Sequence, residues 1–192
     1  IFLAGHETTA TALTWSLYCL AADLEVYESL RKENLEVLGD QIPSLSDLMR
    51  LPKTQAFFDE VLRYYPPFWR FTRQAKENDQ LGAFEIPAGT VVMISPFVTH
   101  RNPKFWSNPE KFEAGRFLEP ATKERHKFSY IPFGGGPRVC IGNTFALMEA
   151  QLILSILVRG FRFTKTNTAP EFDPHITLRP KTGMPLIVER AS

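Results

Sequence analysis

The sequence predicts a mainly α-helical fold with a small β portion. Leu13, Leu17 and Leu20 follow helical spacing near the N-terminus, and a second long helical pattern follows Cys140. Between these patterns the chain cannot form long helices, because nine of its 15 prolines lie after Tyr65 and up to position 137. No internal repeat, low-complexity tract or linker divides residues 1–192, so a single unit is expected.

Four long helices are expected, at residues 2–22, 24–38, 52–64 and 143–158. Asp23 is a suitable N-cap for the second helix, which should stop at Gly39. The third helix should begin at Pro52, since proline suits a first helical turn, and should end before the Pro-Pro pair at positions 66 and 67.

The β portion is expected in short segments. The apolar runs at 84–86 and 90–94, separated by Pro87-Ala88-Gly89, predict a small hairpin, and residues 161–164 and 186–189 predict terminal strands. Residues 100–132 predict an irregular connection, which we expect to be held down by aromatic side chains, namely Phe105, Trp106, Phe112 and Phe117.

Composition and charge limit the class of partner. The chain has 22 Lys and Arg against 21 Asp and Glu, with no basic run, which argues against nucleic acid and favours a small molecule or a protein. The apolar stretch from Ala10 to Ala22 is shorter than the ~20 residues of a membrane span. Cys19 and Cys140 lie in dissimilar surroundings, which favours a reducing compartment on the cytoplasmic side over a disulfide, with Cys19 a buried, inert thiol.

Residues 133–142 read FGGGPRVCIG and carry the strongest chemical signal. A phosphate-binding loop would need a Gly-Lys-Ser/Thr ending, which is absent from this segment. A structural glycine turn around a buried thiol is a second interpretation. The glycines also permit close approach to a large flat group, while the helix after Gly142 directs amide N–H groups and the positive end of its dipole toward Cys140. Those surroundings suit a thiolate metal ligand.

This segment resembles the haem-binding loop of the cytochrome P-450 family, F-x-x-G-x-R-x-C-x-G. The matching residues are Phe133, Gly136, Arg138, Cys140 and Gly142. The resemblance implies haem b as cofactor, with Cys140 as its axial thiolate ligand and iron-binding residue. In this family the thiolate pushes electron density that favours O–O cleavage. Arg138 is implied to bind a haem propionate, and Phe133, Gly134, Gly136 and Gly142 to form the loop around the cofactor.

Residues 4–9, AGHETT, resemble the distal-helix signature of that family, A/G-G-x-D/E-T. The resemblance places Ala4 and Gly5 beside haem and dioxygen, where small side chains leave room. Thr8 and Thr9 can donate to i−4 carbonyls and distort the helix. Glu7 and Thr8 are implied as the catalytic pair that delivers the protons consumed in O–O cleavage.

Two further segments match the family. Glu60 and Arg63 form its E-x-x-R pair, and Arg116 is the implied third member of a structural triad, although Ala114 stands where the family has proline. The segment after the third helix is implied to lie beside haem and substrate. Arg70 is its propionate candidate, ahead of Arg73.

The resemblance extends over nearly all 192 residues and corresponds to the C-terminal half of the family, so any membrane anchor is expected upstream of Ile1. It implies a monooxygenase that uses electrons from a reductase or a ferredoxin- or flavodoxin-type protein and inserts one atom of dioxygen into a small apolar organic substrate. Two alternatives stay open. One is a haem-thiolate peroxide isomerase or dehydratase, which needs no proton relay. The other is a non-catalytic helical fragment that does not bind haem alone.

Overall fold

The computed structural model describes residues 2–123 and 125–191. The four predicted long helices are present, and their ends lie within about two residues of the predicted ones. They are α1 Phe2–Ala22, α2 Leu24–Leu38, α3 Pro52–Tyr64 and α5 Asn143–Gly160. A short helix that was not predicted, α4 Pro96–Thr99, lies between α3 and α5. Single 3-10 helices lie at Leu45–Arg50, Ala114–Phe117 and Gly136–Arg138. The predicted fold class, mainly α with a small β portion, is confirmed.

The predicted helix-end signals act as expected. Asp23 Oδ1 accepts hydrogen bonds from the backbone N–H groups of Glu25 and Val26, at 3.0 and 3.1 Å, and so caps α2. Gly39 follows α2 at φ 53°, a left-handed value that favours glycine. Pro52 occupies the first position of α3, where its missing N–H has no consequence.

The strands of the described residues form four separate antiparallel pairs. The pairs are β1 Phe71–Gln74 with β4 Val91–Ile94, β2 Asp79–Leu81 with β3 Phe84–Ile86, β5 Phe161–Lys165 with β8 Leu186–Arg190, and β6 Phe172–Pro174 with β7 Leu178–Pro180. Both predicted terminal strands are present, and they pair with each other as β5 and β8.

The predicted hairpin between residues 84–86 and 90–94 is wrong. A two-residue turn at Gly82, with φ 60°, folds β3 back onto β2, and β4 pairs with β1 instead of β3. The chain after Gly89 returns to β1 instead, because Ala75 donates to Thr90 at 2.9 Å and Gly89 donates to Ala75 at 2.8 Å. The β2–β3 hairpin is therefore an insertion within the β1–β4 ladder.

The main core lies among α1, α2, α3 and α5, and its fully buried members include Trp15, Phe57, Val61 and Leu154. Trp15 stacks on Tyr65 with ring centroids 4.1 Å apart, and its indole N–H donates to the carbonyl of Leu178 at 2.8 Å. These contacts fix α1 against the end of α3 and against β7. Within the described residues no helix has the length and hydropathy to cross a membrane.

The described residues of the segment 100–132 (100–123 and 125–132) form the predicted irregular connection, and its aromatic residues hold most of it against α3. Trp106 is buried, Phe112 packs on Phe57 at 5.7 Å, and Phe117 packs on Tyr130 at 4.8 Å between ring centroids. Phe105 differs from the prediction, because it lies at the surface and stacks on His126.

Candidate functional site

A cavity of about 440 Å³ joins the start of α1 to the loop that precedes α5. Ala4, Gly5 and Thr8 line it from α1, and Arg138 and Cys140 line it from the loop. Phe133, Gly134 and Gly142 line it as well, and so do apolar side chains of the segment between α3 and β1. Parts of the segments 4–9 and 133–142, which are far apart in sequence, therefore line one largely apolar cavity.

The loop before α5 owes its shape to two glycines. Gly134 and Gly136 have φ values of 74° and 71°, where any other L-residue costs roughly 1–2 kcal/mol. The loop closes through hydrogen bonds from the Cys140 N–H to the Phe133 carbonyl at 3.0 Å and from the Val139 N–H to the Gly136 carbonyl at 3.1 Å. This compact loop places Cys140 on the cavity wall, while Gly136 acts through the backbone and is not itself in the wall.

The sulfur of Cys140 lies beside the beginning of α5. Gly142 is the N-cap of that helix, and a Cβ atom added to Gly142 would lie 4.0 Å from Cys140 Sγ. Glycine therefore leaves the sulfur free on that side. The sulfur thus adjoins the first residues of an 18-residue helix.

The second cysteine has different surroundings. Cys19 is buried in the helical core, and burial raises the pKa of its thiol. Both cysteines are free, and only Cys140 lines the cavity. Cys19 is thus an unreactive core residue, as the sequence predicted.

On α1, the threonine hydroxyls donate back to the helix. Thr8 Oγ1 donates to the Ala4 carbonyl at 2.7 Å and Thr9 Oγ1 to the Gly5 carbonyl at 3.0 Å. A Cβ added at Gly5 would meet nothing within 4 Å, so this wall of the cavity has open space. The back-bonding predicted for this segment is present, and the Thr8 side chain lines the cavity.

Glu7 lies on another side of α1. It lines a second cavity of about 450 Å³ and accepts a hydrogen bond from Thr177 Oγ1 at 2.7 Å. The structure therefore does not bring Glu7 into the cavity that contains Cys140. Thr177 is separated from Glu7 by 170 positions, and no sequence signal indicated the contact.

The arginines considered for propionate binding differ in whether they line the cavity, and for Arg70 and Arg73 the alternation of side chains along β1 explains the difference. Phe71 and Arg73 share one face of β1 and both line the cavity. Arg70 precedes the strand in the opposite phase, is exposed, and places its guanidinium over Trp69 at 4.6 Å from the ring centroid. Arg138 lines the cavity as expected. The structure thus places Arg73 and Arg138, and not Arg70, beside the cavity.

Glu60, Arg63 and Arg116 are brought together outside the lining of the cavity. Arg63 donates to both oxygens of Glu60, at 2.6 and 2.8 Å, and Arg116 Nε lies 3.6 Å from Glu60 Oε1. Arg63 also donates to three backbone carbonyls, those of His100, Pro109 and Lys111. Burial raises the pKa of Glu60, and the hydrogen bond and charge of Arg63 act against that rise.

The 3-10 helix Ala114–Phe117 forms without the proline that the family has at Ala114. The Glu113 N–H donates to Glu60 at 2.7 Å, and this bond fixes the beginning of that helix. The triad therefore ties α3 to residues 100–116, so the substitution of proline by alanine does not move Arg116 out of reach.

No motif or periodic pattern in the sequence singled out His100. Its side chain is completely buried between Trp106 and Tyr130, and burial lowers its pKa to about 3. A single histidine within an irregular connection carries no periodic signal. Its role emerges only from its hydrogen bonds.

Comparison with known proteins agrees with this arrangement. A family model described as Cytochrome P450 matches residues 1–187. The chain is 40% identical over 186 residues to cyclooctatin synthase of Streptomyces melanosporofaciens, covering 97% of this chain and 39% of that protein. It is 38% identical over 192 residues to 11-oxo-beta-amyrin 30-oxidase of Glycyrrhiza uralensis, covering 98% of this chain and 37% of that protein.

A human relative, Cytochrome P450 4V2 of Homo sapiens, is 35% identical over 190 residues, which are 97% of this chain and 36% of that protein. The chain thus spans about two-fifths of the length of the curated relatives it matches. The match covers both walls of the cavity, from residues 4–9 to residues 133–142. The chain belongs to the cytochrome P450 family.

Proposed function

We propose that this chain forms the haem-binding part of a haem-thiolate monooxygenase. The enzyme would insert one atom of dioxygen into a small apolar organic substrate and take electrons from a redox protein. One observation carries the proposal: the Cys140 thiol lines the same apolar cavity as Ala4, Gly5 and Thr8, although it lies more than 130 positions further along the sequence.

The residues around this cavity fit a haem. Cys140 supplies one exposed thiol beside the start of α5, and Phe71 and Phe133 supply apolar surface for a porphyrin face. Arg73 and Arg138 can bind the propionates, since a guanidinium pairs with a carboxylate through two hydrogen bonds. The described residues contain no cluster of three or more His, Cys, Asp and Glu able to hold a metal ion, and a porphyrin iron needs a single protein ligand on this side.

When bound, the haem supplies dioxygen reduction and O–O cleavage, assisted by electron donation from the thiolate. The chain's own residues provide space and protons. Gly5 and Ala4 leave room along α1, and the Thr8 hydroxyl, whose proton is held by the Ala4 carbonyl at 2.7 Å, presents its lone pairs to the cavity. Thr8 is thereby suited to accept a hydrogen bond from a water or a protonated oxygen in the cavity and so to hold in place the group that delivers the proton.

Glu7 would serve this relay from the far side of α1. Its carboxylate adjoins the second cavity and is oriented by Thr177, so a proton taken up there must pass α1 to reach Thr8. A peroxide isomerase or dehydratase is the second candidate, because the separation of Glu7 from the Cys140 cavity is what an enzyme without a relay would tolerate.

The two candidates differ in their co-substrates. The haem-loaded protein is given a redox partner, NADPH and a panel of apolar compounds, and in parallel a panel of organic hydroperoxides without reductant. The monooxygenase proposal expects product only with reductant and dioxygen, in step with their consumption. Rearranged or dehydrated hydroperoxide without reductant would favour the second candidate. Failure of the purified chain to bind haem at all would favour the non-catalytic fragment.

A further inference from the structure

His100 connects the buried ion pair of α3 to the segment just before residues 133–142, the loop that contains Cys140 and is called the cysteine loop below. Its Nδ1 lies 3.1 Å from the carbonyl oxygen of Arg63, and its Nε2 accepts a hydrogen bond from the Ile131 N–H at 2.9 Å. The carbonyl of His100 in turn accepts from Arg63 Nη1 at 2.9 Å. Both ring nitrogens and the backbone of one residue are therefore engaged.

The polarity of these partners determines the state of the imidazole. A carbonyl can only accept and a backbone N–H can only donate, so Nδ1 must carry the proton and Nε2 must be bare. A protonated ring would set two N–H groups against each other at Ile131. Burial, which lowers the pKa of His100 to about 3, keeps the ring neutral at physiological pH.

The bond to Ile131 reaches Cys140 through two further backbone contacts. The Gly134 N–H donates to the Ile131 carbonyl at 3.0 Å, and the Cys140 N–H donates to the Phe133 carbonyl at 3.0 Å. On the other side of His100, Arg63 lies near the end of α3, and its side chain is held there by two hydrogen bonds to Glu60. The carbonyl of Arg63 lies in the last turn of α3, so it lacks a helical partner and is satisfied by His100.

We propose that His100 is a positioning residue for the thiolate ligand: its Nε2 fixes the start of the cysteine loop to α3, and thereby sets the share of protein in which Cys140 binds haem iron as a thiolate. The proposal rests on the proposed function for the ligand role of Cys140. It assigns to His100 a task separate from packing, because the acceptor at Nε2, and not the volume of the ring, carries it.

Two substitutions of His100 separate the contributions of the hydrogen bonds that its two ring nitrogens make. In His100→Gln the side-chain carbonyl reaches the Nε2 position and can still accept from Ile131, whereas the donor to Arg63 is lost. In His100→Asn the amide reaches only the Nδ1 position, so the donor is kept and the acceptor is lost. Thr54→Val is the control, since Thr54 is fully buried and hydrogen-bonded to Glu33 and Asn34 in another part of the core.

The first readout is the reduced, carbon monoxide-bound spectrum of the haem-loaded protein, in which the thiolate form has a strongly red-shifted Soret band. We expect His100→Asn to lower the ratio of thiolate to non-thiolate bands about tenfold, because the part-buried N–H of Ile131 would lose its partner and the native loop would be destabilised. His100→Gln and Thr54→Val should keep the wild-type ratio, even where the melting temperature falls.

The second readout is hydrogen–deuterium exchange of the amides at residues 129–140 without haem. Exchange should accelerate in His100→Asn and not in His100→Gln. Equal spectra and equal exchange in the two His100 variants would overturn the proposal, as would a loss of the thiolate band in Thr54→Val as large as in His100→Asn. A wild-type protein with no thiolate band contradicts the proposed function instead, and exchange then still decides whether His100 holds the loop.

Discussion

Arg63 donates two hydrogen bonds to Glu60, of 2.6 Å from Nε and 2.8 Å from Nη2, and both side chains are fully buried. The pair lies at the junction of α3 with residues 100–113, where Arg63 also satisfies three backbone carbonyls. Removing one member leaves the other charge buried without compensation, which costs far more than an exposed pair contributes.

The Glu60→Gln variant should therefore lower the free energy of unfolding by about 3–5 kcal/mol, measured by urea denaturation. Glu36→Gln is the matched control, because Glu36 pairs with Lys32 at 3.8 Å on the surface and its removal should cost under about 1 kcal/mol. Similar losses in the two variants would contradict a structural role for the buried pair.

Thr8 and Thr14 make the same contact on α1 but adjoin different cavities. Thr8 donates to Ala4 at 2.7 Å and lines the Cys140 cavity, whereas Thr14 donates to Ala10 at 2.8 Å and lines the second cavity. In Thr8→Val the ratio of product formed to dioxygen consumed should fall about tenfold, with peroxide released, because the relay loses its hydroxyl. Thr14→Val should leave the ratio unchanged; equal uncoupling in both variants would place the relay elsewhere.

Arg73 and Arg70 offer a matched test of propionate binding. Arg73 lines the cavity, and Arg70 is exposed over Trp69. Arg73→Leu should speed the transfer of haem to an excess of apomyoglobin about tenfold or more, since a charge-assisted bond of roughly 1.5–3 kcal/mol is lost. Arg70→Leu should transfer haem at the wild-type rate, and a faster loss from Arg70→Leu than from Arg73→Leu would reverse the assignment.

The fully buried His100 and the half-buried Asp59 give opposite dependences of stability on pH. Burial lowers the pKa of His100 from 6.5 to about 3, so its contribution is complete above pH 6.5 and is lost as the pH falls toward 3. Burial raises the pKa of Asp59 from 3.8 to about 6, so its contribution is complete below pH 3.8 and is lost as the pH rises through 6. Between these limits the two effects oppose each other.

Single variants should separate these effects. As the pH falls from 6.5 to 4, His100→Gln should gain stability relative to the wild type, whereas Asp59→Asn should lose it, because each variant removes one of the two opposing dependences. The measurement is the urea midpoint of the three proteins across that range. Parallel curves for all three would show that neither group has a native-state pKa that differs from its pKa in the unfolded chain.

The sequence predicted the long helices because their signals are local: the apolar periodicity of α1, the cap at Asp23 and the proline at the start of α3 each act within a few residues. The hairpin prediction failed because the same strand, β3, could pair with either neighbour. The turn at Gly82, with φ 60°, pairs β3 with β2. The apolar pattern of the sequence does not predict which of the two neighbouring strands β3 pairs with.

In the site, too, the features that the sequence predicted are local, and those it did not predict depend on contacts between distant residues. The loop of Cys140 is contiguous and its glycines are required by backbone geometry, so the motif indicates it directly. The separation of Glu7 from Thr8 depends on which side of α1 each neighbouring residue faces, and the contact of Glu7 with Thr177 joins residues 170 positions apart. Such long-range contacts, like that of His100 with Ile131, follow only from the assembled fold.

The reduced, carbon monoxide-bound spectrum of Cys140→Ala shows whether Cys140 binds haem iron as a thiolate, as we propose. Cys19→Ala is the control, because Cys19 is a free thiol buried in the helical core. We expect the strongly red-shifted Soret band in the wild type and in Cys19→Ala, and its complete loss in Cys140→Ala. A red-shifted band that persists in Cys140→Ala would show that Cys140 is not the thiolate ligand.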